Sequence, residues 1–181
     1  MAELDLSKRT QALTEIRSLA TVASQQVYDL PEDVIGVREL IWEPSVNHVR
    51  LKPWSLDQLR RTQYATGSPS AYAVQAAEKQ LLLHAAPSAA AQTTTVNGSH
   101  TNSITTITVA STASFGSRGR IAIGEEIISY TGTTSTTFTG CVRGAERTRA
   151  LALSDAATVT WQNLELTCVV KPRLMFNIYT T

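Results

Sequence analysis

Apolar and polar residues alternate with a period of two in several short stretches of this 181-residue chain, and other stretches before Pro87 are compatible with helix. Such alternation puts every second side chain on one face, as in a half-buried strand. Val34 to Trp42 is a β-rich run that ends before Pro44, and Leu164 to Val170 alternates in the same way. Val27 to Leu30 runs extended into Pro31, whose ring disfavours helix in the preceding residue. Tyr72 to Val74 begins a strand after the turn chemistry of Gly67 to Pro69, and Leu81 to Leu83 is a short, wholly apolar strand. Ser55 reads as the N-cap of a single helix reaching Arg61, with Leu56 and Leu59 inward. A short first helix is predicted as well: Ser7 can cap it, and Leu13, Ile16 and Leu19 or Ala20 share a face. Its end is open, because Arg17 to Ala23 also fits a strand. The β-branched Thr21 and Val22, and the turn-like Gln25-Gln26 pair, favour strand there.

Composition changes near Pro87. From about Ser88 to Thr160 the chain is rich in Thr, Ser, Gly and Ala and poor in charge, and from Trp161 it again reads as ordinary half-buried strand. The pattern predicts one β core, residues 1–87 plus 162–181, with a short N-terminal helix and an inserted Thr/Ser-rich β module at 88–161. Within the module, Ile107 and Val109 flank Thr108. Ile121 to Ile123 and Glu126 to Tyr130 flank Gly124-Glu125 as a tight hairpin, and Thr136 to Thr139 is a further strand. Regular returns of Ile, Phe, Tyr and Val argue against low-complexity disorder. The fold class expected is mainly β: a small β-sandwich-like core with one or two short helices and an inserted small β module.

Charge narrows the function. Sixteen basic residues against fifteen acidic leave a net charge of +1, without the basic excess of a dedicated nucleic-acid binder. The densest basic cluster, Arg143, Arg147 and Arg149, is interrupted by Glu146. Cys141 and Cys168 form no CxxC pair and have no histidine at metal spacing, so they read as buried free thiols in a reducing cytoplasm. No apolar run approaches membrane-span length, and the acidic start does not resemble a signal peptide; a soluble, unsecreted chain is expected.

No catalytic constellation emerges. Glu125 and Glu126 are adjacent on a predicted hairpin and so point to opposite faces, whereas a catalytic carboxylate pair must converge. They read as hairpin solvation, with Glu126 able to bond turn amides. His48, His84 and His100 lie far apart without a ligand-spaced partner; His84, in an apolar strand, reads as a core or interface residue. No nucleophile elbow or phosphate loop is present. Neither catalytic, metal nor cofactor-binding residues are expected, and the chain is not expected to be an enzyme. The candidate residues concern assembly: Trp42 and Trp54, which flank a proline-containing loop; Arg143, able to reach a carboxylate of a neighbouring subunit; and Phe176 and Tyr179 in an apolar C-terminal stretch.

The order of the core motifs carries a resemblance. Tyr28, Leu30, Pro31 and Asp33, then Gly67, Pro69 and Tyr72, then Leu83 and Pro87, with Leu164 to Val170 closing, resemble the β core of head-to-tail connector (adaptor) proteins of tailed bacteriophages. The match covers roughly 20–90 and 162–175. It departs from that pattern in its short N-terminal helical region and in the roughly 70 residues placed before the last strand. The inserted run Gly119 to Gly132, followed by Phe138 to Gly144, is similar to a small β module of phage tail and baseplate proteins. Leu153 and Ala156 stand where that module usually has His and Gly. The resemblance implies a structural virion protein of the neck or tail, assembled in the host cytoplasm. It would form a homo-oligomeric ring of twelve or six copies, contact the portal protein and adjacent tail or neck proteins, and let DNA pass without sequence-specific binding. A receptor- or carbohydrate-binding module of a tail fibre or surface protein is the alternative. It requires exposed aromatic platforms, for which the module offers Phe115, Tyr130, Phe138 and Trp161. A cell-wall hydrolase would need a paired acid or metal set that the sequence lacks.

Overall fold

The structure, a computed structural model, describes residues 13–44, 47–62 and 65–171. The core half of the chain forms β1 (Leu13–Leu19), β2 (Val27–Asp29), β3 (Val34–Trp42), β4 (Val49–Arg50), β5 (Lys52–Pro53), α1 (Leu56–Arg61), β6 (Ala65–Gly67), β7 (Ala71–Gln75), β8 (Gln80–Leu83) and β9 (Ala85–Pro87). There follow β10 (Thr93–Thr95), β11 (Thr106–Thr108), β12 (Gly119–Ile123), β13 (Glu126–Tyr130), β14 (Gly132–Thr133), β15 (Thr137–Thr139), β16 (Val142–Ala145), β17 (Thr158–Trp161) and β18 (Leu164–Val170). The chain is mainly β, as its alternation predicts.

Two sheets build the first core. One has the order β1-β18-β3-β4 and the other β2-β8-β7-β5. Their facing side chains form one apolar cluster, with Leu40, Leu164, Leu166, Cys168 and Val170 from the first sheet and Tyr28, Tyr72, Leu81 and Leu83 from the second. Every second residue of β18 is buried, so this strand lies at the centre of its sheet, antiparallel to both β1 and β3. A strand from the end of the chain thus closes a sheet begun near its start.

A second, separate cluster lies between the sheet β10-β17-β12-β13-β16 and the smaller sheet β11-β15-β14. Phe138 is fully buried at its centre, with Phe115 edge-on at 5.2 Å and Tyr130 at 4.7 Å between ring centroids. The β12–β13 hairpin turns at Gly124 (φ +59°) and pairs Ile123 with Glu126, as the Gly-Glu signal predicts.

Two expectations are corrected. Leu13 to Leu19 is strand β1 throughout and not the end of a helix, and Ser7 lies outside the described residues. The apolar flank of β18 offers seven pairing positions to β1, and that tertiary pairing overrides the weak i, i+3 spacing. The strand also stops at Leu19: Thr21 to Ala23 leave the sheet, and Ser24 turns the chain at φ +62°. The only helix among the described residues is α1. Its Ser55 Oγ accepts from Gln58 N–H while Gln58 Oε1 accepts from Ser55 N–H, a reciprocal capping box.

Candidate assembly interface

The two apolar clusters meet across a polar seam. The turn after β16 carries Glu146 and Arg147, both in the left-handed region (φ +55° and +69°). Such backbone costs on the order of 1 kcal/mol or more per residue, so it persists only where surrounding contacts hold it. Here the two side chains grip β1 from either side. Glu146 accepts from the Ser18 backbone N–H at 2.9 Å and from Ser18 Oγ at 2.6 Å, and Arg120 Nε lies 3.2 Å from it. Arg147 pairs with Glu15 and approaches Asp33 Oδ2 at 3.5 Å. Arg17, buried on the core side, binds the same two acids at 2.9 and 2.5 Å. Arg120 adds a pair with Glu165 at 2.5 Å.

Asn163, the residue before β18, ties the other end of the seam. Its amide oxygen accepts from Thr21 N–H at 2.8 Å, and its amide nitrogen donates to Thr21 Oγ1 at 2.9 Å. Its carbonyl accepts from Glu43 N–H, and Ala91 N–H donates to Thr21 C=O. Both chain crossings between the clusters are therefore bonded to one loop. Burial pushes the Glu146 carboxyl above its ordinary range, against the bonds from Ser18 and the charge of Arg120. Arg147 holds Glu15 below it.

Beside the seam a cleft of about 450 Å³ opens between β3, β18 and the module, lined in part by Glu43, His48, Arg118 and Tyr130. His48 Nδ1 lies 2.6 Å from Glu43 Oε1; burial raises the Glu43 carboxyl and His48 opposes it. No group of three His, Cys, Asp or Glu side chains among the described residues is placed to hold a metal. Cys141 and Cys168 are free and buried in different clusters, and burial pushes both thiols up to about 11.

The assembly candidates fall in different places. Trp42 is buried in the first core and packs inward. Trp54 is half-buried, stands edge-on to His84 at 5.0 Å, and lines an open groove with Gln58, Arg61 and Thr62. Arg143 is spent inside its own chain: its side chain is 7% exposed and forks onto the fully buried Glu126 at 2.8 and 2.7 Å. Glu126 also accepts from Gly144 N–H and Leu151 N–H, both at 2.9 Å. It bonds turn amides, as read from the sequence, but from inside the module and not from solvent. Phe176 and Tyr179 lie outside the described residues. Sequence reasoning missed Glu146, Arg147 and Asn163. The signal for the first two was an acid within a basic cluster just after a turn glycine, which reads as surface charge until the fold sets it against β1.

No curated protein and no solved structure matches this chain. Residues 1–120 match the family model described as SU10 adaptor protein. That stretch runs from β1 through every core strand except β18 and into the module. With well over half of the chain matched, this β-rich protein belongs to the SU10 adaptor family of bacteriophage head–tail adaptors.

Proposed function

We propose that the chain forms a homo-oligomeric ring of twelve or six copies in the phage neck or tail, joining the portal protein to the tail and letting DNA pass. Family membership makes it a structural component of the virion that associates with other head and tail proteins, and it is the observation that carries this reading. A net charge of +1 suits a lumen that must not retain DNA. In this reading the role is mechanical, the chain is not an enzyme, and assembly takes place in the host cytoplasm. The inserted module, held in fixed pose by the Glu146–Ser18 and Asn163–Thr21 bonds, projects towards the next ring or a fibre.

Among the candidates of the described chain, Trp54 is the anchor we favour for contact between copies. It keeps an exposed face beside Arg61, and Trp and Arg are enriched at the centres of interfaces. The rival glycan-binding reading needs an aromatic platform, but Phe115, Tyr130, Phe138 and Trp161 are each at most 7% exposed. Size exclusion with light scattering, and negative-stain images of the same peak with and without portal protein, tests the ring. Closed rings that Trp54→Ala disperses are expected. A chain that stays monomeric even with portal would sink the proposal.

A further inference from the structure

We infer that Asn97 is a self-modification site: the Gly98 backbone nitrogen attacks the Asn97 side-chain amide, Asp155 takes the proton, and the residue becomes aspartate or isoaspartate. The inference is independent of the ring reading above. Among the asparagines, Asn97 alone is followed by glycine. The reaction closes a five-membered ring between the side-chain carbonyl carbon and the next backbone nitrogen, and a Cβ on that next residue crowds the closure. Gly98 has none, and a Cβ built on it would meet nothing within 4 Å. Gly98 stands at φ +79°, in the left-handed region that glycine enters without steric cost. Asn97 and Gly98 are both exposed, in the connection between β10 and β11.

The attacking nitrogen has a base in place. Gly98 N–H donates to Asp155 Oδ1 at 2.7 Å, so nucleophile and proton acceptor lie within hydrogen-bond reach of each other. Neighbouring bonds hold that geometry. Asn97 N–H donates to Thr108 C=O, Ala156 N–H donates to Val96 C=O, and His100 and Leu153 exchange both backbone bonds. Residues 153–156 are thus laced to residues 96–100 on either side of Asp155. In the first step the Gly98 N–Asn97 Cγ bond forms and the Cγ–Nδ2 bond breaks. The Gly98 proton passes by way of Asp155 to the departing nitrogen, which leaves as ammonia. Water then opens the cyclic imide at either carbonyl. One opening gives aspartate; the other reroutes the main chain through the side chain and gives isoaspartate. The net reaction consumes water and releases ammonia. Asn163 lacks this arrangement, being buried with both side-chain amide atoms bonded to Thr21. Asn102 is exposed, but Ser103 follows it and carries a Cβ. Either product puts a second negative charge beside Asp155, and the repulsion opens the Gly98–Asp155 bond. β10 leaves the core crossing at Thr93, so the change falls at the end of the module away from the seam.

The test incubates the purified full-length chain in water labelled with heavy oxygen. Its digested peptides are followed by mass spectrometry, with isoaspartate and aspartate forms separated by chromatography. Label should enter residue 97 about tenfold or more faster than Asn102, in both forms. Asp155→Asn can still accept the Gly98 bond but cannot take its proton, and should slow entry about tenfold or more with circular dichroism unchanged. Should that variant misfold, the unaltered chain decides by itself. Hydroxide is the base at Asn102, so conversion there climbs steeply with pH, and at Asn97 it should climb less. Absence of label at residue 97 would overturn the inference, as would equal rates at the two asparagines. So would a folded Asp155→Asn chain converting as fast as the unaltered one, or the same pH steepness at both positions.

Discussion

The residue with most at stake is Glu126, fully buried and accepting four hydrogen bonds from Arg143, Gly144 and Leu151. A buried pair is weak evidence of net stabilisation, but removing one partner strands the other. Glu126→Ala should therefore cost about 3–5 kcal/mol, read from chemical denaturation, because Arg143 would keep its charge in a nearly closed site. The pair also sets a pH dependence. Burial pushes the Glu126 carboxyl up, but the bonds from Arg143 and the two amides outweigh it and hold the group below its ordinary 4.5. The folded chain thus binds this proton less readily than the unfolded one. Its contribution is complete above pH 4.5 and drains away as the pH falls further. Glu126→Gln should flatten that acid limb in denaturation curves taken across it; an unchanged limb would count against the assignment. Glu146 has the opposite sign, since its raised carboxyl costs stability when ionised and regains it on acidification. The sequence showed Glu126 beside a hairpin glycine and Arg143 in a turn. It did not show that they face one another, because a separation of 17 positions in sequence gave no geometry.

At the scale of elements, α1 and β1 mark the limits of local reading. α1 was legible because its signals are local: Ser55 and Gln58 cap one another within four residues, and Leu59 turns into a small cluster with Ala73 and Leu82. Ser55→Ala should cost about 1 kcal/mol, measured by the shift of the unfolding midpoint at constant slope. β1 was not legible because its conformation is fixed by β18, which lies some 150 residues away in sequence. The turn after β16 has a local requirement of its own. Gly144 sits at φ +64°, and a Cβ there would meet Thr148 O at 2.9 Å. Gly144→Ala should destabilise by about 1 kcal/mol or more and displace Glu146, and hydrogen exchange at the Ser18 amide reports that displacement directly.

At the scale of the whole molecule, the seam decides whether the module swings freely or rides with the core. Glu146→Ala removes the acceptor from Ser18 and one of the two carboxylate partners of Arg120, while the apolar clusters on either side keep their contacts. It should speed exchange at the Ser18 amide more than tenfold with little change in the exchange of β12 and β13, a local opening of the seam. Equal acceleration across the module would mean that the seam and the module core unfold together. The sequence by itself determined the longer elements other than β1, because period-two alternation, proline and glycine breaks and an N-cap act over a few residues. It carried the order of motifs that marks the adaptor family, and it marked the change of composition near Pro87. Only the tertiary structure decided which strands share a sheet, that Leu13 to Leu19 is extended, that Arg143 is spent within its own chain, and that Glu146 and Arg147 bind the module to β1. Those outcomes depend on partners up to about 150 residues apart, where pairing and burial, and not local preference, set the energy.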